Sequence, residues 1–203
     1  MTFEVELKAR INDPQKIEAQ AAKLGHFIGE FFKEDVYYCP VGDSRPVPSL
    51  RYRLRREGDK AIVTFKHRAL TDGIEVNEEI EFAVDDAPAF FRFAHYTGAE
   101  PFVVKHKRSR VYQVGRANIE LNEVTHLGYF AEIEILVADE AEVLGARAEI
   151  SHLLTRLGLN QIDLEPGLYI EMLQAAHPVR YRYDPDSDPE WPFVEITLEE
   201  EPS

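Results

Sequence analysis

Residues 1–10 read MTFEVELKAR. Glu4, Glu6 and Lys8 recur at spacing two, with Phe3, Val5 and Leu7 between them. Side chains along a strand alternate between its two faces, so one face here is apolar and the other is all charge. The same parity returns along the chain. Arg51, Arg53 and Arg55 oppose Leu50, Tyr52 and Leu54, while Lys66 and Arg68 share a face with Thr64. Glu79 and Glu81 oppose Ile80 and Phe82. Glu120 and Asn122 oppose Ile119 and Leu121, and Glu132 and Glu134 oppose Ile133 and Ile135. An open antiparallel sheet with its charges in water explains any one of these strands. It does not explain why acidic and basic strands are segregated, or why so few Ser, Thr or Gln dilute the polar faces. The expected fold is therefore α+β: a closed eight-stranded antiparallel β-barrel, charged faces inward, apolar faces outward under flanking helices.

The rest of the chain supplies those helices and strands. Asp13-Pro14 opens a helix that Gly25 ends, and residues 26–40 are extended. Residues 40–49 are a proline-rich loop, and residues 50–68 form a hairpin turning at Gly58-Asp59. Residues 75–84 are a strand and 85–98 a short helix with Asp85 and Asp86 as caps. Three strands follow at 102–114, 116–124 and 128–137, then helices at 139–158 and 166–176. The domain is expected to span 1–176. Residues 177–203 are an acidic, proline-containing extension expected to be largely loose, with a possible edge strand at VEITLEE.

The chain has 203 residues and a net charge of −14, which argues against coating nucleic acid or docking on an anionic membrane. Its one cysteine, Cys39, excludes an intrachain disulfide. No apolar run approaches the ~18 residues that a membrane helix needs, and a reducing cytoplasm is the expected location. No H-E-x-x-H or C-x-x-C favours zinc, and Ser109 and Ser151 lack a nucleophile context.

Like charges crowded inside a barrel are costly unless neutralised. Phosphoryl oxygens on the basic strands and a divalent cation on the acidic ones would do so. Oxygen donors favour Mg²⁺ or Mn²⁺ over Zn²⁺.

The motifs resemble a known family. E-x-E-x-K at Glu4–Lys8, EDVYY at 34–38, SLRYRLR at 49–55, VTFKHR at 63–68 and EEIEF at 78–82 occur in its order. LNEVTHLGYFAEIEI at 121–135 and GLYIEML at 167–173 complete the likeness, which runs from Thr2 to Leu173. These segments resemble the CYTH domain of the triphosphate tunnel metalloenzymes, which include class IV adenylyl cyclases, thiamine triphosphatases and inorganic triphosphatases. The resemblance implies a tunnel that binds a small-molecule triphosphate with Mg²⁺ or Mn²⁺. By position, Glu4, Glu6, Lys8 and Lys66 would be catalytic. Glu4, Glu6, Glu132, Glu134 and Asn122 would face the metal. Lys8, Arg51, Arg53, Lys66, Arg108 and Arg110 would bind phosphate, with Glu79, Glu81 and Glu120 lining the tunnel. Within KHKRSR, anchoring on Gly115 selects Arg108 and His106, and a bulge would select Lys107 or Arg110 instead. Asn122 stands where the family has aspartate; its carbonyl oxygen could ligate a cation but brings no charge. The implied activity is metal-dependent hydrolysis of inorganic, thiamine or nucleoside triphosphate. The alternatives are cyclisation of ATP to cyclic AMP and pyrophosphate, and a non-catalytic polyphosphate or nucleotide sensor. A closed barrel has no free edge, so a homodimer would use another surface.

Overall fold

The computed structural model describes residues 3–45, 47–48, 50–71 and 74–197, without the side chains of 67–71 and 197. The element order is β1 (Phe3–Arg10), α1 (Pro14–Leu24), β2 (His26–Pro40), β3 (Tyr52–Glu57), β4 (Lys60–Thr71), β5 (Ile74–Ala83) and α2 (Ala87–Tyr96). There follow β6 (Ala99–Val114), β7 (Ala117–Val124), β8 (Gly128–Val137), α3 (Val143–Arg156), α4 (Tyr169–Ala176), β9 (Val179–Tyr183) and β10 (Phe193–Thr197). Eight strands close a barrel in the order β1-β5-β4-β3-β2-β6-β7-β8. Closure shows in β1, which pairs antiparallel with β5 on one side and β8 on the other. Parts of the expected 40–49 loop, and the Arg68 side chain, lie outside the described residues.

The chain divides into two compact units. The first comprises Met1–Phe32, Lys66–Ile80 and Lys107–Pro166. Its core joins Val5 and Leu7 of β1, Ile119 of β7 and Ile133 and Ile135 of β8 to Ile17 and Ala21 of α1 and Ile150, Leu153 and Leu154 of α3. Each large aliphatic side chain buried this way contributes roughly 1.5–3 kcal/mol. The odd residues of β1 thus face the helices, which leaves Glu4, Glu6 and Lys8 on the inner face. Asp13 caps α1 by accepting from the Lys16 amide at 3.0 Å. Gly25, after α1, is set by space: a Cβ there would stand 2.1 Å from the Gln113 carbonyl oxygen.

The second unit comprises Lys33–Phe65, Glu81–His106 and Gly167–Ser203. Val36, Tyr38, Leu54, Val63 and Val104 of its strands pack with Phe91 and Ala94 of α2. The C-terminal extension departs from the expectation of a loose tail. β9 and β10 form an antiparallel hairpin, Phe193 opposite Tyr183. The cause is a set of aromatics among the prolines and acids. Phe193 is buried against Phe91, 4.9 Å between ring centroids, and Trp191, 5.0 Å, while Tyr181 and Tyr183 pack on the same core. The expected strand is found at Phe193–Thr197, and residues 198–203 lie outside the described residues. Phe193→Ala should cost about 3–5 kcal/mol. Urea unfolding followed by the fluorescence of Trp191, the sole tryptophan, measures it; a loss below ~1 kcal/mol would show the hairpin to be a dispensable cover.

Candidate functional site

The first unit gathers carboxylates on its inner face. Glu6 of β1 lies directly across from Glu75 of β5 on one side and Glu134 of β8 on the other. Directly opposed residues have Cβ atoms ~5 Å apart, and like charges so placed repel. Burial, then Glu132 and Glu4, push the Glu6 carboxyl well above its ordinary value. Burial, then Glu120 and Glu4, raise Glu134 from 4.5 to about 7, although Asn118 Nδ2 donates to its Oε1 at 3.1 Å. Glu4 behaves differently. Burial alone would raise it, but the Lys66 ammonium and the bonds from Lys66 and Asn77 bring it to about 2. Lys66 Nζ stands 2.6 Å from Glu4 Oε2 and also pairs with Glu79.

A second ammonium serves the next carboxylates. Lys107 Nζ donates to Glu132 Oε2 at 2.8 Å and to Glu120 Oε2 at 3.0 Å. Lys8 is buried and lies across from Glu132. Asn122 is buried and spans two partners. Its Nδ2 donates to Glu132 Oε2 at 2.7 Å, and its Oδ1, the atom that could ligate a cation, accepts from Ser109 Oγ at 2.7 Å. An ionised carboxylate only accepts, which fixes the amide's orientation. Asn122→Asp would put a carboxylate against Glu132 and delete that donor. The metal-free variant should lose about 1–3 kcal/mol at pH 7; a melting temperature in chelator equal to the parent's would refute this.

The second unit gathers cations around one carboxylate. Asp35 of β2 is fully buried. Arg55 grips it twice, Nε at 2.7 Å and Nη2 at 3.0 Å, while Lys105 Nζ lies at 2.9 Å and Arg53 Nη1 at 3.6 Å. Burial opposes ionisation of Asp35, but Arg55, Lys105 and Arg53 hold its carboxyl well below the usual range. Lys105 also donates to Tyr37 Oη at 3.2 Å and stands 4.8 Å from the centroid of the Tyr169 ring, which places Tyr169 of α4 beside these cations. Thr64 Oγ1 donates to Glu81 Oε1 at 2.7 Å. Arg51 precedes β3, and its Nη1 donates to the Pro48 carbonyl at 2.8 Å.

Two expected phosphate ligands do not join either group. Arg108 reaches Glu30 and Glu123, and Arg110 reaches Glu18 and Glu30, all on the outer side of β6 in the first unit. They share parity with Val104 and Tyr112, which pack into the helix-covered cores. The strand carries no bulge in that stretch: Lys107 to Val114 pair one for one with Val124 to Ala117. Lys105 and Lys107 hold the inner positions. His106 is likewise outside, 3.6 Å from Glu34. Sequence reading passed over Glu75 and Asn77, and it placed Arg55 on a charged face and Asp35 in the EDVYY motif without giving either a role in the site. Glu75 and Asn77 share the parity of Glu79, which was the available signal.

Among the described residues, no three His, Cys, Asp or Glu side chains are gathered closely enough to hold a metal ion as they stand. Glu4, Glu79, Glu120 and Glu132 are instead drawn onto lysines. The donor set is nonetheless all oxygen, and Glu6 and Glu134 are held above the ordinary carboxyl range by burial and by the neighbouring carboxylates Glu4, Glu120 and Glu132. Such residues fit a hard divalent cation once the side chains turn toward it. No helix among the described residues is long and apolar enough to cross a membrane.

Comparison with known proteins bears on the fold and the family. A Methanocaldococcus jannaschii protein, provisionally named an adenylate cyclase, is 26% identical over 84% of this chain and 98% of its own. A solved Pyrococcus horikoshii structure matches with TM-score 0.72 at 29% identity, over 83% of this chain and 98% of that one. A Hippeastrum protein, described as an adenylyl cyclase candidate with a dominant triphosphatase activity, shares the fold at TM-score 0.56 and 17% identity, over 77% of this chain and 88% of that one. The CYTH domain model matches residues 2–169. Members of that family are divalent-metal-dependent triphosphatases or adenylyl cyclase-like enzymes. This chain belongs to the CYTH domain family.

Proposed function

We propose that this protein hydrolyses a triphosphate with the help of Mg²⁺ or Mn²⁺, the substrate being inorganic, thiamine or nucleoside triphosphate. The observation that carries the reading is the row Glu75–Glu6–Glu134, three carboxylates side by side on three neighbouring strands. Glu6 and Glu134 would hold the cation, with Glu4 and Glu132 beside them. When bound, a divalent cation supplies charge neutralisation at phosphoryl oxygens and activates an oxygen nucleophile. Lys66 and Lys107 already sit on carboxylates as ammoniums. In the loaded site they would turn to phosphoryl oxygens, exchanging one anion for another. Lys8 is assigned the same task. Arg53, Lys105 and Arg51 are the cations we assign to phosphate in the second unit. Positioning and charge neutralisation are most of what phosphoryl transfer asks of a protein.

A second reading is adenylyl cyclisation, favoured by the name of the archaeal relative. The two differ in the nucleophile, water or the ribose 3′-hydroxyl. ATP, tripolyphosphate and thiamine triphosphate, each with Mg²⁺ or Mn²⁺, separate them by ³¹P NMR. Orthophosphate is the expected product. Cyclic AMP with pyrophosphate would establish the cyclase, and tight binding without turnover would establish a sensor.

A further inference from the structure

We propose that Asn77 is a neutral oxygen ligand of the divalent cation and that β5, through Asn77 and Glu75, forms one side of its site. The inference rests on the metal-dependent reading above. Asn77 is fully buried and lies directly across from Glu4, on the inner face it shares with Glu75. Its Nδ2 donates to Glu4 Oε2 at 3.2 Å and reaches Glu75 Oε2 at 3.5 Å. That end of the amide cannot be turned round, because Oδ1 would then face two carboxylates. Yet the Oδ1 atom so fixed accepts no hydrogen bond from the described residues, although it is buried. A buried carbonyl oxygen without a donor is rare and costly, and an ion at the site is one of its few explanations. The two oxygens that its Nδ2 reaches belong to carboxylates, and Mg²⁺ and Mn²⁺ accept amide carbonyls beside carboxylates. A neutral ligand also adds coordination without adding to the crowding already felt by Glu6.

The test is Mn²⁺ binding to the full-length protein without substrate, by calorimetry and by the Mn²⁺-induced rise in melting temperature. Asn77→Leu keeps the volume and removes the oxygen. It should bind Mn²⁺ roughly tenfold more weakly or worse, with a smaller Mn²⁺-induced rise in melting temperature, each rise being measured from that protein's own metal-free value because the variant also loses the Nδ2 bond to Glu4. Unchanged affinity would overturn the proposal. So would a lowered metal-free melting temperature with the Mn²⁺-induced rise intact, which marks a structural role. Should Asn77→Leu fail to fold, Asn77→Asp carries the test: it keeps an oxygen and should bind Mn²⁺ at least as tightly as the parent, and weaker binding would overturn the idea. If the parent binds no Mn²⁺, the proposed function falls. If the parent binds and Asn77→Leu binds equally, only the role of Asn77 falls.

Discussion

Replacing Glu134 or Glu6 by glutamine should cut cation-dependent turnover at least ~100-fold and make the metal-free protein more stable at pH 8. Both effects have one cause. Burial raises both carboxyls, Glu132 and Glu4 crowd Glu6, Glu120 and Glu4 crowd Glu134, and a cation is what would relieve them. A carboxyl whose pKa is raised by folding binds its proton more tightly in the folded state. Its contribution to stability is full below about pH 4.5 and is lost as pH rises through about 7 for Glu134. The loss has an upper bound of about 3 kcal/mol for that one group. Glutamine has no proton to lose, and its amide oxygen can still accept from Asn118. The metal-free Glu134→Gln protein should therefore lose less of its melting temperature from pH 5 to pH 8 than the parent does, the remaining fall coming from Glu6. Undiminished turnover in both variants at saturating Mg²⁺ and Mn²⁺ would remove these residues from the site. A parent whose metal-free stability is flat over that window would remove the crowding.

Asp35→Asn should cost about 3–5 kcal/mol at pH 7, close to unfolding a marginal domain. The substitution removes a carboxylate that Arg55, Lys105 and Arg53 share. Asparagine leaves three cations facing a neutral amide. Here the pKa is depressed by folding, so the stabilisation is present above the ordinary value of 3.8 and is lost as pH falls further, through the lower folded value. Acid unfolding of the parent should thus be steep below about pH 4, and that of Asp35→Asn shallower. Tripolyphosphate should restore part of the lost stability if these cations bind phosphate. Urea titration at pH 7 measures the loss, and a value under ~1 kcal/mol would mean that solvent already serves the cations.

The barrel was legible because several of its strands announce their inner face by charge parity. Glu4–Glu6–Lys8, Arg53–Arg55 and Glu132–Glu134 could not alternate with buried aliphatics otherwise. Where parity is uninformative, reading failed. KHKRSR is cationic on both faces, so charge cannot choose between Lys105–Lys107 and Arg108–Arg110. The choice is made by Tyr112, whose place in the helix-covered core sends the even positions outward. Asn77 was missed because a neutral amide on a strand looks like ordinary solvent-facing polarity; only its burial, and an oxygen that finds no donor among the described residues, mark it. Asp35 was visible within the EDVYY motif, but its three cationic partners come from β3 and β6, and no spacing within one strand reveals them. The C-terminal hairpin was obscured by proline and acid, since composition averages over the four aromatics that fold it.

Metal dependence is the claim on which the rest depends. Protein stripped with chelator and dialysed should release no orthophosphate from tripolyphosphate. Adding back Mg²⁺ or Mn²⁺ should restore turnover in proportion to cation bound. Turnover that survives chelation unchanged would contradict the account, because the carboxylate row would then have no catalytic cation to hold.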